Sequence, residues 1–321
     1  DAVHVAIGLE ELINEGFLDV NTAIRPLGGY SFKHDVEREV ILMNLTPSQK
    51  RSLHLKAATA LQKRREGFPK FAEALAYHWE TSLQQHEALS AWLEAGRYAR
   101  SKFNRNDTYR AHARGLDLIM KAPTLFQESE VYELINEFGN YAYDRDDIVT
   151  CESIYRSCLE IGEINQNRKL IGTAYNGLSR AAFYLNKFEE ARTYAERASW
   201  FLEGTGMRDE QIKSLFIQGS IQYSMDDYEE SRHSMEKALA LTDSVNDLYI
   251  NDTKIDILSI LCAVLCNIGD PVHALDLAKQ MVNLSSLATR RSTVLQASAV
   301  LAMCEYFNEH PENFDLRPVG K

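Results

Sequence analysis

One repeated pattern constrains this chain more than any other feature. Residues at positions i, i+4 and i+7, most of them small, recur with a step of 40: Cys151, Tyr155 and Cys158 superimpose on Ala191, Ala195 and Ala198, then on Ser231, Met235 and Ala238. A fourth copy, Ala274, Ala278 and Met281, follows after 43 residues. That spacing puts each triplet on one stripe of a helix. About a dozen residues upstream stands a second small position, successively Gly139, Ser179, Gly219 and Cys262. Polar turns lie between the two, from Asp144 to Asp147, at Asn186-Lys187, at Asp226-Asp227 and at Gly269-Asp270-Pro271, and are read as acceptors for the free N–H groups of the next helix. Each unit is therefore predicted to be a helical hairpin. Small residues on facing stripes let the paired helices approach closely, while Tyr155, Phe188, Tyr228 and Leu275 fill the remaining gaps.

The phrases Lys187-Phe-Glu-Glu-Ala-Arg-Thr-Tyr-Ala-Glu-Arg-Ala198 and Asp227-Tyr-Glu-Glu-Ser-Arg-His-Ser-Met-Glu-Lys-Ala238 resemble the tetratricopeptide repeat, with lengthened helices. The proline that usually ends the second helix in that family is missing here. The resemblance implies an all-α, right-handed superhelix of hairpins whose first helices line a concave groove. Family positions carried over residue by residue place Asn136, Asn140, Tyr143, Asn176, Arg180, Phe183, Tyr184, Phe216, Ser220 and Tyr223 in that groove. Asparagine offers a donor and an acceptor to an extended backbone, arginine grips carboxylates in two-pronged fashion, and aromatic rings bury apolar groups. A protein or peptide is the expected occupant, with a small effector as the other ligand class, and self-association of the array is a further expectation.

The first 125 residues read differently. Ala6 to Phe17 reads as a helix, Gly28 to Phe32 as a Gly-Gly turn entering a short strand, and Asp35 to Met43 as another helix. Thr46 and Pro47 set the start of a helix running to Leu61. Ala72 to Glu80 and Glu87 to Phe103 form a further hairpin, in which Ala88, Trp92 and Ala95 repeat the later triplet. The phrases Tyr30-Ser-Phe-Lys-His-Asp-Val-Glu-Arg-Glu-Val40, Leu45-Thr-Pro-Ser-Gln-Lys-Arg-Ser-Leu-His54 and Ala74-Leu-Ala-Tyr-His-Trp79 resemble the segment after the ATPase core of large STAND-type signal-transduction ATPases, among them LuxR-type regulators and some cyclases and kinases. What the resemblance implies is a partial winged-helix unit over 1–45, a helical linker with the first hairpins over 46–125, and the repeat array over 126–321. It also implies a role as the non-catalytic sensor and interaction arm of a larger cytoplasmic ATPase. ATP is then expected only in an upstream domain, and this chain needs no cofactor of its own. Asp1 to Glu15 reads as the inside of a helix with no targeting signal, so the chain reads as an excised piece. The alternatives are a free-standing scaffold or adaptor, or the regulatory part of a nucleotide cyclase or kinase.

Charge and chemistry narrow the classes further. Residues 1–125 hold 17 Lys/Arg against 15 Asp/Glu, and the remainder 18 against 31, so the acidity of the chain lies in the array. Acidic surface repels a phosphate backbone, and direct nucleic-acid binding is not expected. The helix from Gly8 to Gly16 carries Glu10, Glu11 and Glu15 and no cation, the wrong sign for entering a groove of DNA. Lys63, Arg64 and Arg65 read as a solvated helix end. No apolar run is long enough to span a bilayer, and no membrane partner is expected. No phosphate-cradling Gly-x4-Gly-Lys, Gly-x-Ser-x-Gly or His-Glu-x-x-His is present, so neither catalytic nor metal-ligating residues are assigned. The five cysteines suit a reducing cytoplasm and read as core.

Overall fold

The computed structural model describes residues 2–21, 29–63, 71–243, 250–287 and 291–310. The predicted turn residue Gly28 and the basic pair Arg64 and Arg65 lie outside them. Two compact units are present, Asp1–Gly115 and Leu116–Lys321.

The first unit begins with α1 (Ala2–Asn14), an antiparallel hairpin of β1 (Leu18–Asn21) and β2 (Gly29–Phe32), and α2 (Asp35–Asn44). Leu18 pairs with Phe32 and Val20 with Tyr30. Next come α3 (Pro47–Lys63), α4 (Ala72–Thr81), α5 (Gln85–Ser101) and α6 (Arg105–Lys121), which crosses into the second unit. The start of α3 is a reciprocal cap. The Thr46 amide donates to Gln49 Oε1 at 2.8 Å, and the Gln49 amide donates back to Thr46 Oγ1 at 3.3 Å. Ala88, Trp92 and Ala95 are all buried, Trp92 and Ala95 in one cluster with Ala58, Leu75 and Ala76, and the Trp92 indole donates to Glu80 at 3.0 Å.

The second unit is a run of hairpins: α7 (Glu128–Tyr143) with α8 (Ile148–Ile164), α9 (Arg168–Tyr184) with α10 (Phe188–Leu202), α11 (Arg208–Ser224) with α12 (Tyr228–Thr242), and α13 (Ile250–Asn267) with α14 (Pro271–Ser285). Then follows α15 (Arg291–Glu309). The small positions meet as the pattern predicts. Ser179 Oγ donates to the Ala191 carbonyl and Ser231 Oγ to that of Gly219, both at 2.7 Å, and Cys262 Sγ donates to that of Ala274 at 3.4 Å.

The polar turns work differently from expectation at two of the four hairpins. Asp147 and Asp270 do cap the following helix, but Lys187 and Asp227 make no side-chain cap. What the turns share is a left-handed residue closing the first helix: Asp146, Asn186, Asp226 and Gly269. The next amide in each turn reaches back to the carbonyl of Ala142, Ala182, Gln222 or Leu265 at 2.9–3.1 Å. Asn and Asp tolerate this conformation better than other side chains, and glycine adopts it without strain. The fold is the all-α array of hairpins expected, with β1 and β2 the only strands among the described residues.

Candidate functional site

In the second unit the first helices of successive hairpins touch one another, α7 with α9, α9 with α11 and α11 with α13. The second helices meet less closely, through Arg156 of α8 and Tyr194 of α10. The first helices α7, α9, α11 and α13 thus form one continuous layer of the unit.

Two polar clusters lie on these helices. The first is built on Glu210, a carboxylate only 2% exposed near the start of α11. It accepts hydrogen bonds from Asn176 Nδ2 at 2.8 Å, Lys213 Nζ at 2.7 Å and the Tyr132 hydroxyl at 3.1 Å. Asn176 Nδ2 also donates to the Glu210 carbonyl at 2.9 Å. Lys213 Nζ reaches Asn136 Oδ1 at 3.3 Å, and Asn140 Nδ2 donates to the same oxygen at 3.3 Å. Burial, reinforced by the charge of Glu210, pushes the Tyr132 phenol far above its ordinary range. The network joins α7, α9 and α11 and gives a buried charge the partners it requires.

The second cluster surrounds Arg180 on α9. Its guanidinium lies 3.7 Å from the Tyr143 ring centroid and 5.9 Å from that of Tyr184. Tyr143 is fixed from below, its hydroxyl donating to the Gly177 carbonyl at 2.7 Å. Burial raises the Tyr143 phenol well above its usual value, with the charge of Arg180 opposing the shift. Arg180 is half-buried and makes no ion pair or hydrogen bond with a protein acceptor among the described residues. A cation so placed is pre-oriented by two rings and keeps its five donors for an anion.

The ten sequence-derived positions thus divide. Asn136, Asn140, Arg180, Phe183, Phe216 and Tyr223 are half-buried and Tyr184 is exposed. Asn176, Tyr143 and Ser220 are buried and bonded within the protein, Ser220 Oγ donating to the Phe216 carbonyl at 2.8 Å. Asn136 and Asn140 meet, as do Tyr143, Arg180, Tyr184 and Phe183, whereas Tyr223 pairs instead with Tyr228 at 5.8 Å. Glu210, Lys213 and Tyr132 were not among the predicted positions. An acid in the first turn of a helix reads as a partner of the helix dipole, and nothing local marks Glu210 as buried.

Among the described residues no group of three or more His, Cys, Asp or Glu could hold a metal ion. No described helix is long and apolar enough to cross a membrane. The recess between α8, α9 and α10 lined by Glu152, Leu178, Ala182 and Tyr194 encloses about 10 Å³, and a recess in the first unit lined by Gln62, Trp79, His86, Glu87, Ser90 and Ala91 about 280 Å³. Sites that engulf a small molecule take roughly 300–1,000 Å³.

A tetratricopeptide repeat model matches residues 212–244, which lie on the α11–α12 hairpin. No curated protein sequence matches the chain significantly. Among solved structures, the apo form of the quorum sensor NprR from B. thuringiensis is 13% identical, with a TM-score of 0.54 over 87% of this chain and 77% of that one. The apo form of RapI is 10% identical, with a TM-score of 0.49 over 87% of this chain and 80% of that one. A signal transduction ATPase with numerous domains and a tetratricopeptide repeat sensor, from Pyrococcus horikoshii, is 13% identical with a TM-score of 0.49. It matches over 96% of this chain, which spans only 56% of its length. At such identities the likeness concerns the fold: this chain carries a tetratricopeptide repeat within an array of helical hairpins of the same kind.

Proposed function

We propose that the inner face of α7, α9 and α11 is a protein- or peptide-binding groove, and that the chain is a non-catalytic sensor and interaction arm of a larger cytoplasmic signalling or transcription-regulating ATPase. The observation that carries the groove is Arg180, a guanidinium stacked on Tyr143 with no acidic partner among the described residues, in a unit whose charge is otherwise strongly negative. An extended peptide suits the face, its carboxylate meeting Arg180, its backbone meeting Asn136 and Asn140, and its apolar groups lying on Tyr184 and Phe183. The open surface of this face favours an extended ligand over an enclosed metabolite.

The ATPase part rests on the phrases from Tyr30 to Val40 and from Leu45 to His54. The helix, hairpin and helix of α1 to α2 support a winged-helix remnant. The α2 helix buries no residue of its own and exposes Val36, Val40 and Met43, which supports a covering neighbour domain.

A peptide array with free and amidated C-termini, read with the wild type and with Asn140→Ala combined with Arg180→Ala, tests the groove. The double variant should lose binding at least tenfold with helicity unchanged, and equal affinity would refute the site. Absence of a nucleotide-binding loop in the intact gene product would refute the ATPase attachment alone.

A further inference from the structure

Two histidines of the first unit have no part in the groove. His54 on α3 and His78 on α4 direct their Nδ1 atoms at each other across 2.8 Å, with ring centroids 5.0 Å apart. A hydrogen bond between two imidazole nitrogens needs a proton on one and a bare lone pair on the other. The contact therefore exists only while at least one ring is neutral. With both rings charged, two N–H groups and two positive charges would face each other across the same gap.

Among the described residues little else fixes α3. Its one fully buried residue is Ala58, joined by the partly buried Leu61, while Leu53 and Leu55 are exposed. By contrast α4 buries Ala72, Leu75 and Ala76, and its Glu80 is bonded to Trp92 and Arg114. The histidine bond thus adds a polar tie to the apolar contact of α3 with the hairpin behind it.

We propose that His54 and His78 form an acid-sensitive clasp that holds α3 against the α4–α5 hairpin and releases it when both rings are charged. The surroundings agree with this. Burial lowers the pKa of His54, and burial followed by the charge of His54 lowers that of His78. The packed elements carry Lys50, Arg51, Lys56 and Lys63 on α3, Glu73 and Glu80 on α4, and His86, Glu87, Glu94, Arg97 and Arg100 on α5, and none of these contributes to either shift. Glu73 and Glu80 are engaged by Arg110 and Arg114 at 2.7 Å, and Tyr77 offers His54 only a ring edge at 5.5 Å. Among the described residues no carboxylate is bonded to either imidazole. In the detached state both rings return to about 6.5 and take up protons first. Docking of α3 is therefore complete above pH about 6.5 and weakens as the pH falls below it.

Amide hydrogen exchange on the intact chain at pH 7.5 and pH 5.0, corrected for intrinsic rates, tests the clasp. The protection of α3 should fall about tenfold or more at pH 5.0 relative to α4, and recover on return to neutrality. His54→Asn with His78→Gln keeps a neutral hydrogen-bonded pair and should abolish the pH dependence. An unchanged α3 in the wild type, or an equal loss in the double variant, overturns the proposal. If the double variant does not fold, imidazole NMR titration of the wild type decides. Rings titrating below 6.5 in step with α3 resonances support the clasp, and titration at or above 6.5 overturns it.

Discussion

Gly177→Ala is the sharpest probe of how the array is packed. A methyl group at Gly177 would stand 2.1 Å from Tyr155 Cγ and 2.2–2.3 Å from both Cδ atoms, inside the ring's own volume. The ring has no retreat, because its hydroxyl end lies against Gly139, where an added Cβ would be 2.4 Å from the oxygen. On an open helix surface the same substitution would stabilise by about 1 kcal/mol. Here the overpacking costs about 1–3 kcal/mol or more, and expelling the buried ring forfeits a further 2 kcal/mol or so of burial. The expected net effect is a loss of about 2–4 kcal/mol. Chemical denaturation followed by circular dichroism, together with hydrogen exchange on α9, measures it. The diagnostic is the reversal of sign. In a Tyr155→Ala background the obstruction is gone, and Gly177→Ala should stabilise by about 1 kcal/mol. Stabilisation in the wild-type background, or the same cost with and without Tyr155, would refute the account of small residues as the surface on which the helices close.

Other consequences are open to direct measurement. Glu210→Gln should destabilise the unit by about 2–3 kcal/mol, since Lys213 loses its buried partner, and should bring the Tyr132 phenol down in an ultraviolet pH titration. Asp147→Ala should cost about 1 kcal/mol through loss of the cap on the Thr150 amide, whereas Asp227→Ala, which removes no side-chain cap, should cost measurably less in thermal unfolding. All five cysteines are free and buried. Burial pushes the Cys151 thiol up to about 12, and hydrogen bonding with Cys262 helps push that of Cys304 up to about 12. Iodoacetamide at pH 8 should therefore leave the native chain unlabelled, and mass spectrometry should count five adducts once the chain is unfolded.

Much of the fold was readable because its determinants are periodic. The stripe from Cys151 to Cys158 and its copies announce a helix face, and the small position twelve residues earlier announces where the partner helix lies against it. The hairpin turns were legible as breaks, but their mechanism was not. Asp227 has the composition of a helix cap, yet the backbone work is done by Asp226 in a left-handed conformation, a dihedral preference that no single residue type declares. The candidate site was legible only as a face. Positions 136, 140, 176, 180, 216 and 220 do lie on first helices, but whether a polar side chain there points outward depends on what the neighbouring helix offers. Asn176 is drawn inward by the buried Glu210, and Tyr143 by the Gly177 carbonyl, whereas Arg180 meets only rings. Such long-range partners sit 34 residues away in sequence and leave no local trace.

The left-handed residue that ends each first helix has one more implication. Asp146, Asn186 and Asp226 recur at the same phase of the repeat, so each hairpin carries its own instruction for turning back. Excising one whole period, residues 187–226, would join Asn186 directly to Asp227 and leave that instruction intact at the junction. Recombination between copies can in this way shorten or extend the array by whole increments, altering its reach while every remaining joint keeps its geometry.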